Sequence, residues 1–405
     1  PQSPIRKFIP YALAAKTKGN TVYHLNIGQP DVPTPKIFFD TIKAYHEPVL
    51  AYEHSAGYAP LIQAIREYYQ QWGIELQQED IIITAGGSEA LMMAFGILTN
   101  PGDEVLVFEP YYANYNTFAL AHEVTLKAIT TRLEENFAIT DIKKIIEQIT
   151  PKTKAILINS PGNPSGTILS KEELDIVATV AETYGLYVIS DEVYREFAYD
   201  GKVAKSMLEY PQIKEQVIVI DSISKRYSAC GARIGWIASK NKDITLAALK
   251  YAQARLSVVS LEQIGAAAMI ANASHEIENA KQAYDQRRKL AYEILTKENI
   301  PCGYPSGALY MIADLGVDAE AFIMYMLTEY SGLATEHETV LVTPAQAFYQ
   351  TPRIGTTQVR IAFVLENQAL AKALHHLIRG LKEFKEKGQR AKQERKKESE
   401  NGQGQ

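Results

Sequence analysis

At 405 residues, 46% hydrophobic and 22% charged, the chain has an ordinary globular composition and enough length for a large core and two domains. A net charge of −5 gives no electrostatic case for nucleic acid, and no apolar run suits a bilayer span or a signal peptide. The expectation is a cytoplasmic protein without nucleic-acid or membrane partners; its two cysteines, Cys230 and Cys302, exclude a disulfide scaffold, and no His/Cys cluster points to a metal.

Residues 1–20 carry Tyr11, Leu13 and Ala14 in a predicted short helix that Gly19-Asn20 stops. An extended segment over 25–31 follows, whose Gly28 permits close backbone approach, and then a helix near 36–46. Tyr52 opens an aromatic loop ahead of an amphipathic helix over 61–72. The apolar run 81–84 reads as a strand, and Gly86-Gly87-Ser88 leads into an apolar helix ending at 98. A glycine pair there exposes backbone N–H groups at a positive helix end, a ready anion site, although many strand–helix turns need glycine for geometry alone.

Beyond residue 100, strands are predicted at 104–109, 154–159, 186–191 and 217–221, mostly separated by helices. That alternation predicts an α/β fold with a mostly parallel sheet covered on both faces. Ligands of such sheets bind outside the carboxyl ends of the strands. There the unusual residues gather: Tyr112 after the first of these strands, Asn163 after the second, Asp191 and Tyr194 at the third, and Ser222, Ser224 and Lys225 at the fourth.

A lysine where a buried strand ends loses its proton more easily and becomes a nucleophile towards carbonyls. Ser222, Ser224 and Arg233 add hydroxyl donors and a permanent cation, a set suited to phosphate. An amine beside a phosphate clamp points to a Schiff base with pyridoxal 5′-phosphate; Ser-x-Ser-Lys alone fits a surface lysine equally well. Asp191 would pair with the pyridine nitrogen, Asn163 and Tyr194 with the phenolic oxygen, and Tyr112 would stack on the ring. Cys230 reads as a small packing residue.

A long helix is predicted over 277–300, with Ile277, Ala280, Tyr284, Ala291 and Leu295 on one stripe. Past it, strands at 310–313 and 359–363 belong to a smaller α+β domain. Arg360, inside an apolar strand, needs an anion; a substrate carboxylate would satisfy it bidentately, as would an internal salt bridge. The expected division is an N-terminal segment 1–45 joining the small domain, a large domain 46–280, a small domain 281–384, and a disordered charged tail 385–405.

Taken in order, Gly-Gly-Ser, Asn-Pro-Ser-Gly, Asp-Glu-Val-Tyr, Ser-x-Ser-Lys with arginine eight residues later, and Val-Arg-Ile resemble the class I/II aminotransferases of the aspartate aminotransferase fold family, the fold-type I pyridoxal phosphate enzymes. The resemblance runs from about residue 25 to 381. It implies a seven-stranded-type sheet and a homodimer with active sites at the interface. It further implies a Schiff-base lysine at Lys225, phosphate contacts from Gly87, Ser88, Ser222 and Arg233, and Tyr52 reaching in from the partner subunit; Gly86 and Ser224 are expected at the cofactor as well. Arg360 matches the α-carboxylate clamp and Gly28 a backbone contact to substrate. Two positions depart from the family pattern: Pro344-Ala345-Gln346-Ala347-Phe348-Tyr349 stands where relatives often show Pro-Gly-x-x-Phe-Gly, and Tyr112 where many have tryptophan.

The implied reaction is a ping-pong exchange of an amino group between an L-amino acid and a 2-oxo acid, with Lys225 moving the proton. Arg255, thirty residues after Lys225, stands at the separation where dicarboxylate-specific relatives bind the distal carboxylate. It leans the reading towards aspartate or glutamate with 2-oxoglutarate. A carbon–sulfur β-lyase, an aromatic- or alanine-type aminotransferase, and a ligand-sensing module without turnover remain open alternatives.

Overall fold

The computed structural model describes residues 6–401. The chain divides into two units, one of Gln29–Asp285 with Pro305–Leu309, the other of Pro1–Gly28, Gln286–Tyr304 and Tyr310–Gln405. The larger unit is α/β, built on seven strands in the order Ile81–Thr84, Gly235–Ala238, Val217–Ser222, Tyr187–Asp191, Thr153–Asn159, Glu104–Glu109, Thr125–Thr130. Six point the same way; Gly235–Ala238 lies antiparallel between its two neighbours.

The apolar runs pack on both faces of this sheet. Val217 and Val219 join Tyr69, Val177 and Trp236 on one face, whereas Ile218 and Ile220 join Ala94, Phe95 and Ala248 on the other. Each such side chain contributes about 1.5–3 kcal/mol by leaving water, which makes a two-sided sheet the stable use of unbroken apolar strands. Helices Ala59–Gln70, Lys171–Tyr184 and Ser260–Asn272 cover the first face, and Gly87–Leu98, Tyr115–Ala121 and Lys242–Arg255 the second. Local chemistry sets their ends. Ser170 caps Lys171–Tyr184 by accepting from the Glu173 N–H, Glu173 answers the Ser170 N–H, and left-handed Gly185 closes the helix.

Register places the rim. Asp191 lies opposite Asn159 on one side and Ile220 on the other, while Thr84 and Ser222 both face Gly235. The carboxyl ends of these strands therefore line one edge.

The smaller unit is α+β. Thr343–Pro344, Gln358–Ala362 and Tyr310–Asp314 form an antiparallel sheet, and Thr21–His24 pairs in parallel with Glu338–Leu341. Helices Ile9–Thr17, Ala319–Thr328, Gly332–Thr335 and Asn367–Asn401 belong to it, with the C-terminal part of Ser274–Lys297.

Three expectations change. Residues 29–45 belong to the larger unit, because Lys36–Lys43 packs on Ser260–Asn272. The second boundary falls at Asp285/Gln286 inside the helix Ser274–Lys297, not at 280. The segment expected as a disordered tail from 385 continues a helix to Asn401, leaving only 402–405 outside the described residues. Its Lys, Glu, Gln and Arg content lacks an apolar stripe yet consists of strong helix formers, with Glu386 and Arg390 paired one turn apart at 3.7 Å. No helix among the described residues is long and apolar enough to cross a membrane.

Candidate active site

Lys225 sits in a single helical turn, Ile223–Arg226, that directly follows the buried strand Val217–Ser222. Ser222 caps that turn by accepting from the Ser224 N–H at 3.3 Å, which fixes where the lysine leaves the backbone. The side chain is half-buried; its Nζ lies 5.9 Å from the centre of the buried Tyr194 ring and donates to Cys230 Sγ at 3.9 Å. Cys230 in turn donates to the Ser224 carbonyl at 3.0 Å, so the expected packing residue touches the amine itself.

Asp191 ends the neighbouring strand and is 4% exposed. Its Oδ2 accepts from the Tyr115 hydroxyl at 2.6 Å and its Oδ1 from the Val193 N–H at 3.3 Å. Burial pushes the carboxyl up to about 6; the Tyr115 and Val193 hydrogen bonds and the Lys225 charge oppose that rise, and Asp221 adds to it. Asn159 locks the next loop: its amide donates to the Asp191 carbonyl at 2.9 Å and accepts from the Asn163 N–H at 2.7 Å. Asn163 and Tyr194 are both buried beside this edge.

The Gly86-Gly87-Ser88 junction forms the third component. Gly86 precedes the helix Gly87–Leu98 with φ +81°, and a Cβ there would fall 2.2 Å from Arg233 Nη2. Arg233 reaches across to donate to Ala85 O at 3.2 Å and to Cys230 O at 3.0 Å. Its own backbone is left-handed (φ +53°), a conformation costing a non-glycine residue about 1 kcal/mol. The helix's first N–H groups and this guanidinium thus face the same space, the chemistry of an anion cradle.

Other expected residues stand at varying removes. Tyr112 packs edge-on against Tyr115 at 5.5 Å, its hydroxyl held by the Asn114 amide at 2.7 Å. Tyr52 is 79% exposed, on a loop that Ser260 anchors by donating to Ala51 O. Arg255 is tied inward: Nε lies 3.1 Å from Glu89 Oε1 and Nη2 donates to Ile83 O at 3.0 Å, while Glu89 also accepts from the Ala85 N–H. Its charge is compensated within the chain, so this geometry favours a brace beneath the glycine junction over a distal-carboxylate clamp. Arg255→Ala is accordingly expected to lower the melting temperature by several degrees, from loss of a half-buried ion pair, and to leave the preference between acidic and neutral amino acids within about threefold. Thermal unfolding and paired kcat/KM values check it.

In the smaller unit, Arg360 is 7% exposed at the centre of its sheet. The guanidinium lies between the Tyr310 ring at 4.6 Å and the Phe348 ring at 5.1 Å, and donates to Asn26 O at 2.8 Å. Phe348 comes from the segment that departs from the family pattern. Gly28 is there of steric necessity, since a Cβ would overlap the Tyr310 hydroxyl, which donates to Gly28 O at 3.3 Å.

Two contributors had no sequence signal. Tyr115 and Asn159 act only through partners brought near by folding, and nothing separates them from other tyrosines and asparagines in the chain.

The profile of the family described as aminotransferase class I and II matches residues 20–377. An aspartate aminotransferase of Pyrococcus horikoshii is 33% identical over 376 residues, covering 90% of this chain and 92% of that one. Among solved structures, a single mutant of Thermus thermophilus aspartate aminotransferase superposes with a TM-score of 0.85 at 28% identity, over 94% of this chain and 97% of that one. An alanine aminotransferase from Pyrococcus furiosus gives 0.85 and 28%, over 94% and 98%. With these matches spanning nearly the whole chain, and the amine, carboxylate and anion cradle on one sheet edge, the chain belongs to the class I and II aminotransferase family.

Proposed function

We propose that this chain binds pyridoxal 5′-phosphate and uses it to move an amino group between an L-amino acid and a 2-oxo acid. The observation that carries the reading is one sheet edge holding a lysine amine, a buried carboxylate and a helix-terminal anion cradle. Each suits a part of the cofactor. The cradle of Gly86, Gly87, Ser88 and Arg233, open only because residue 86 has no Cβ, suits a phosphate. The buried Asp191, driven up to about 6 by its burial, suits a pyridinium N–H. Ser222, which caps the turn, and Ser224 within it would supply hydroxyl contacts to the phosphate.

When bound, the cofactor supplies an aldehyde carbon for the Lys225 amine and an electron-poor ring that stabilises charge at the substrate's Cα. The chain does the rest. Asp191 would hold a proton at the ring nitrogen, Asn163 and Tyr194 would donate to the ring oxygen, and Tyr112 would cover the ring face. Lys225 Nζ serves as general base and then general acid at the substrate carbon. Arg360 is the proposed clamp for the substrate's α-carboxylate, and Gly28 a backbone contact to it. The rationale is chemical: a buried planar fork between two rings matches a carboxylate bidentately.

The amino donor is proposed to be aspartate or glutamate, with 2-oxoglutarate as acceptor. The support is the name of the Pyrococcus horikoshii relative; Arg255 adds little, given its Glu89 partner. A homodimer is proposed as well. Exposed Val49, Leu50 and Tyr52 lie near one another along the chain, an apolar run suited to a subunit contact; sedimentation of the full chain checks it.

A single-turnover screen tests the reading. Cofactor-loaded protein is mixed with each amino acid in turn and the loss of the long-wavelength absorbance band is followed. Conversion by aspartate or glutamate, with release of the matching 2-oxo acid, is expected. Pyruvate and ammonia released from sulfur amino acids without any added oxo acid would instead identify a β-lyase.

Tyr115→Phe is expected to move the acid limb of the pH–rate profile upward by about one unit. It removes a hydrogen bond that favours the ionised Asp191, and such bonds to charged groups are worth about 1.5–3 kcal/mol. An acid limb that stays put would show that Asp191 is not the group titrating there.

A further inference from the structure

Behind the rim, on the reverse face of the sheet, lies a group of buried charges that the proposed chemistry does not use. Strand alternation decides who faces where. Asp191 shares the face of Ile189 and Ile220, whereas Asp221 shares that of Val217, Val219 and Trp236. Asp221 is fully buried and bonds Arg226, the residue immediately after Lys225, itself 2% exposed. The Arg226 guanidinium spreads over the Tyr68 ring at 4.3 Å and the Trp236 ring at 5.5 Å, and its Nε and Nη1 have no hydrogen-bond partner among the described residues. Asp221 Oδ1 accepts the Ser222 N–H at 2.7 Å, and Oδ2 also meets the Tyr69 hydroxyl at 3.4 Å. One carboxylate therefore holds both Ser222, which caps the lysine-bearing turn, and Arg226, the last residue of that turn.

A buried ion pair is a poor way to add stability, since apolar residues of like volume often serve as well or better. An arginine held here by one hydrogen-bonding nitrogen and two ring faces is dearly desolvated. Its value lies in where it sits. We propose that the Asp221–Arg226 pair is a positioning and charge-balancing device for Lys225, tying the end of the strand to the last residue of the turn and balancing the charge of the arginine next to the amine-bearing residue. The proposal rests on Lys225 being the reactive amine of the function proposed above.

Electrostatics agree with the geometry. Burial raises the Asp221 carboxyl to about 6 with Arg226 as the largest opposing influence, and the Asp221 charge in turn raises Asp191. The other charged or titratable groups coupled to this pair among the described residues include Tyr68 and Tyr69 from Ala59–Gln70, Tyr227 just after the turn, and Glu192, Arg195 and Glu196 from the loop after Asp191. Tyr68 donates to Glu196, and Arg195 lies 3.7 Å from Glu192 and 3.8 Å from Glu209, so these have local partners of their own. Arg226 is the direct partner that offsets Asp221.

The test is a titration of the Lys225 amine in the full chain carrying Asp221→Asn, Arg226→Met or Arg226→Lys. In cofactor-free protein, NMR of ¹³C-methylated lysines reads the midpoint, assigned by the signal missing from Lys225→Ala; in loaded protein, the pH dependence of the long-wavelength band reads it again. Asp221→Asn leaves an uncompensated cation and is expected to lower the midpoint by about one pH unit; Arg226→Met leaves an uncompensated anion and raises it by about as much. Arg226→Lys, which keeps the charge, stays near wild type. Opposite shifts cannot come from general loosening of the fold. Midpoints unmoved, or moved the same way by both charge-removing variants, would overturn the proposal. Should Arg226→Met not fold, Asp221→Asn against Arg226→Lys still decides it. Borohydride trapping on the wild type separates the two claims, because finding no cofactor on Lys225 sinks the functional reading while the amine titration still judges the pair.

Discussion

Lys225→Ala is expected to eliminate turnover, by at least about 10⁴-fold, because in the proposed chemistry one amine is both the covalent anchor and the proton carrier. The fold should survive: the side chain is half-buried, and the turn that bears it is held by Ser222, Asp221 and Arg226. The measurement has two arms. Steady-state transamination should vanish, and borohydride reduction followed by peptide mapping should leave no cofactor on the chain. A variant that still retains covalently trapped cofactor would place the reactive amine elsewhere and dismantle the assignment of the rim.

Asp191→Asn is expected to reduce turnover by about 10³-fold, the scale of losing a preorganised charge in a water-poor site. Asparagine keeps one oxygen to accept from the Val193 N–H and can turn its NH₂ to donate to the Tyr115 hydroxyl, so the backbone has no reason to move. The stability signature is distinctive. In the cofactor-free protein Asp191 holds its proton more tightly folded (about 6) than unfolded (3.8), so this group alone stabilises the fold progressively as pH falls between those values. The amide cannot titrate. The variant should therefore unfold no more easily than wild type at pH 7, and should lack that share of the gain on mild acidification. Unchanged catalysis by Asp191→Asn would remove the pyridinium partner from the scheme.

How much of this was legible beforehand follows from what each residue does. Asp191, Asn163, Tyr112 and Ser222–Lys225 each end or follow a strand of one parallel sheet, so periodicity plus the rule for carboxyl ends was enough to gather them. Tyr115 was not legible, because its role is a bond to a residue 76 positions away. Asp221 and Arg226 were passed over for a related reason: a period of two tells which residues share a face, but not which charges meet behind it. Arg255 shows the opposite limit of sequence spacing. Its distance along the chain invited a role in specificity, and only the folded arrangement revealed Glu89 beside it. At the C-terminus, lack of apolar residues was read as lack of structure, where helix propensity alone sufficed for regular backbone.

The reversed strand Gly235–Ala238 has one more consequence. Because it turns back between Ile81–Thr84 and Val217–Ser222, a single short excursion of the chain begins at the amine and ends at the arginine and glycine that border the helix terminus. Both ends of that excursion are nailed to adjacent ladders, so the span from Lys225 to Arg233 is metered by sheet registration and not by flexible side chains. Evolution can retune the walls around the substrate, but lengthening this hairpin by even one residue would unseat two halves of the machinery together.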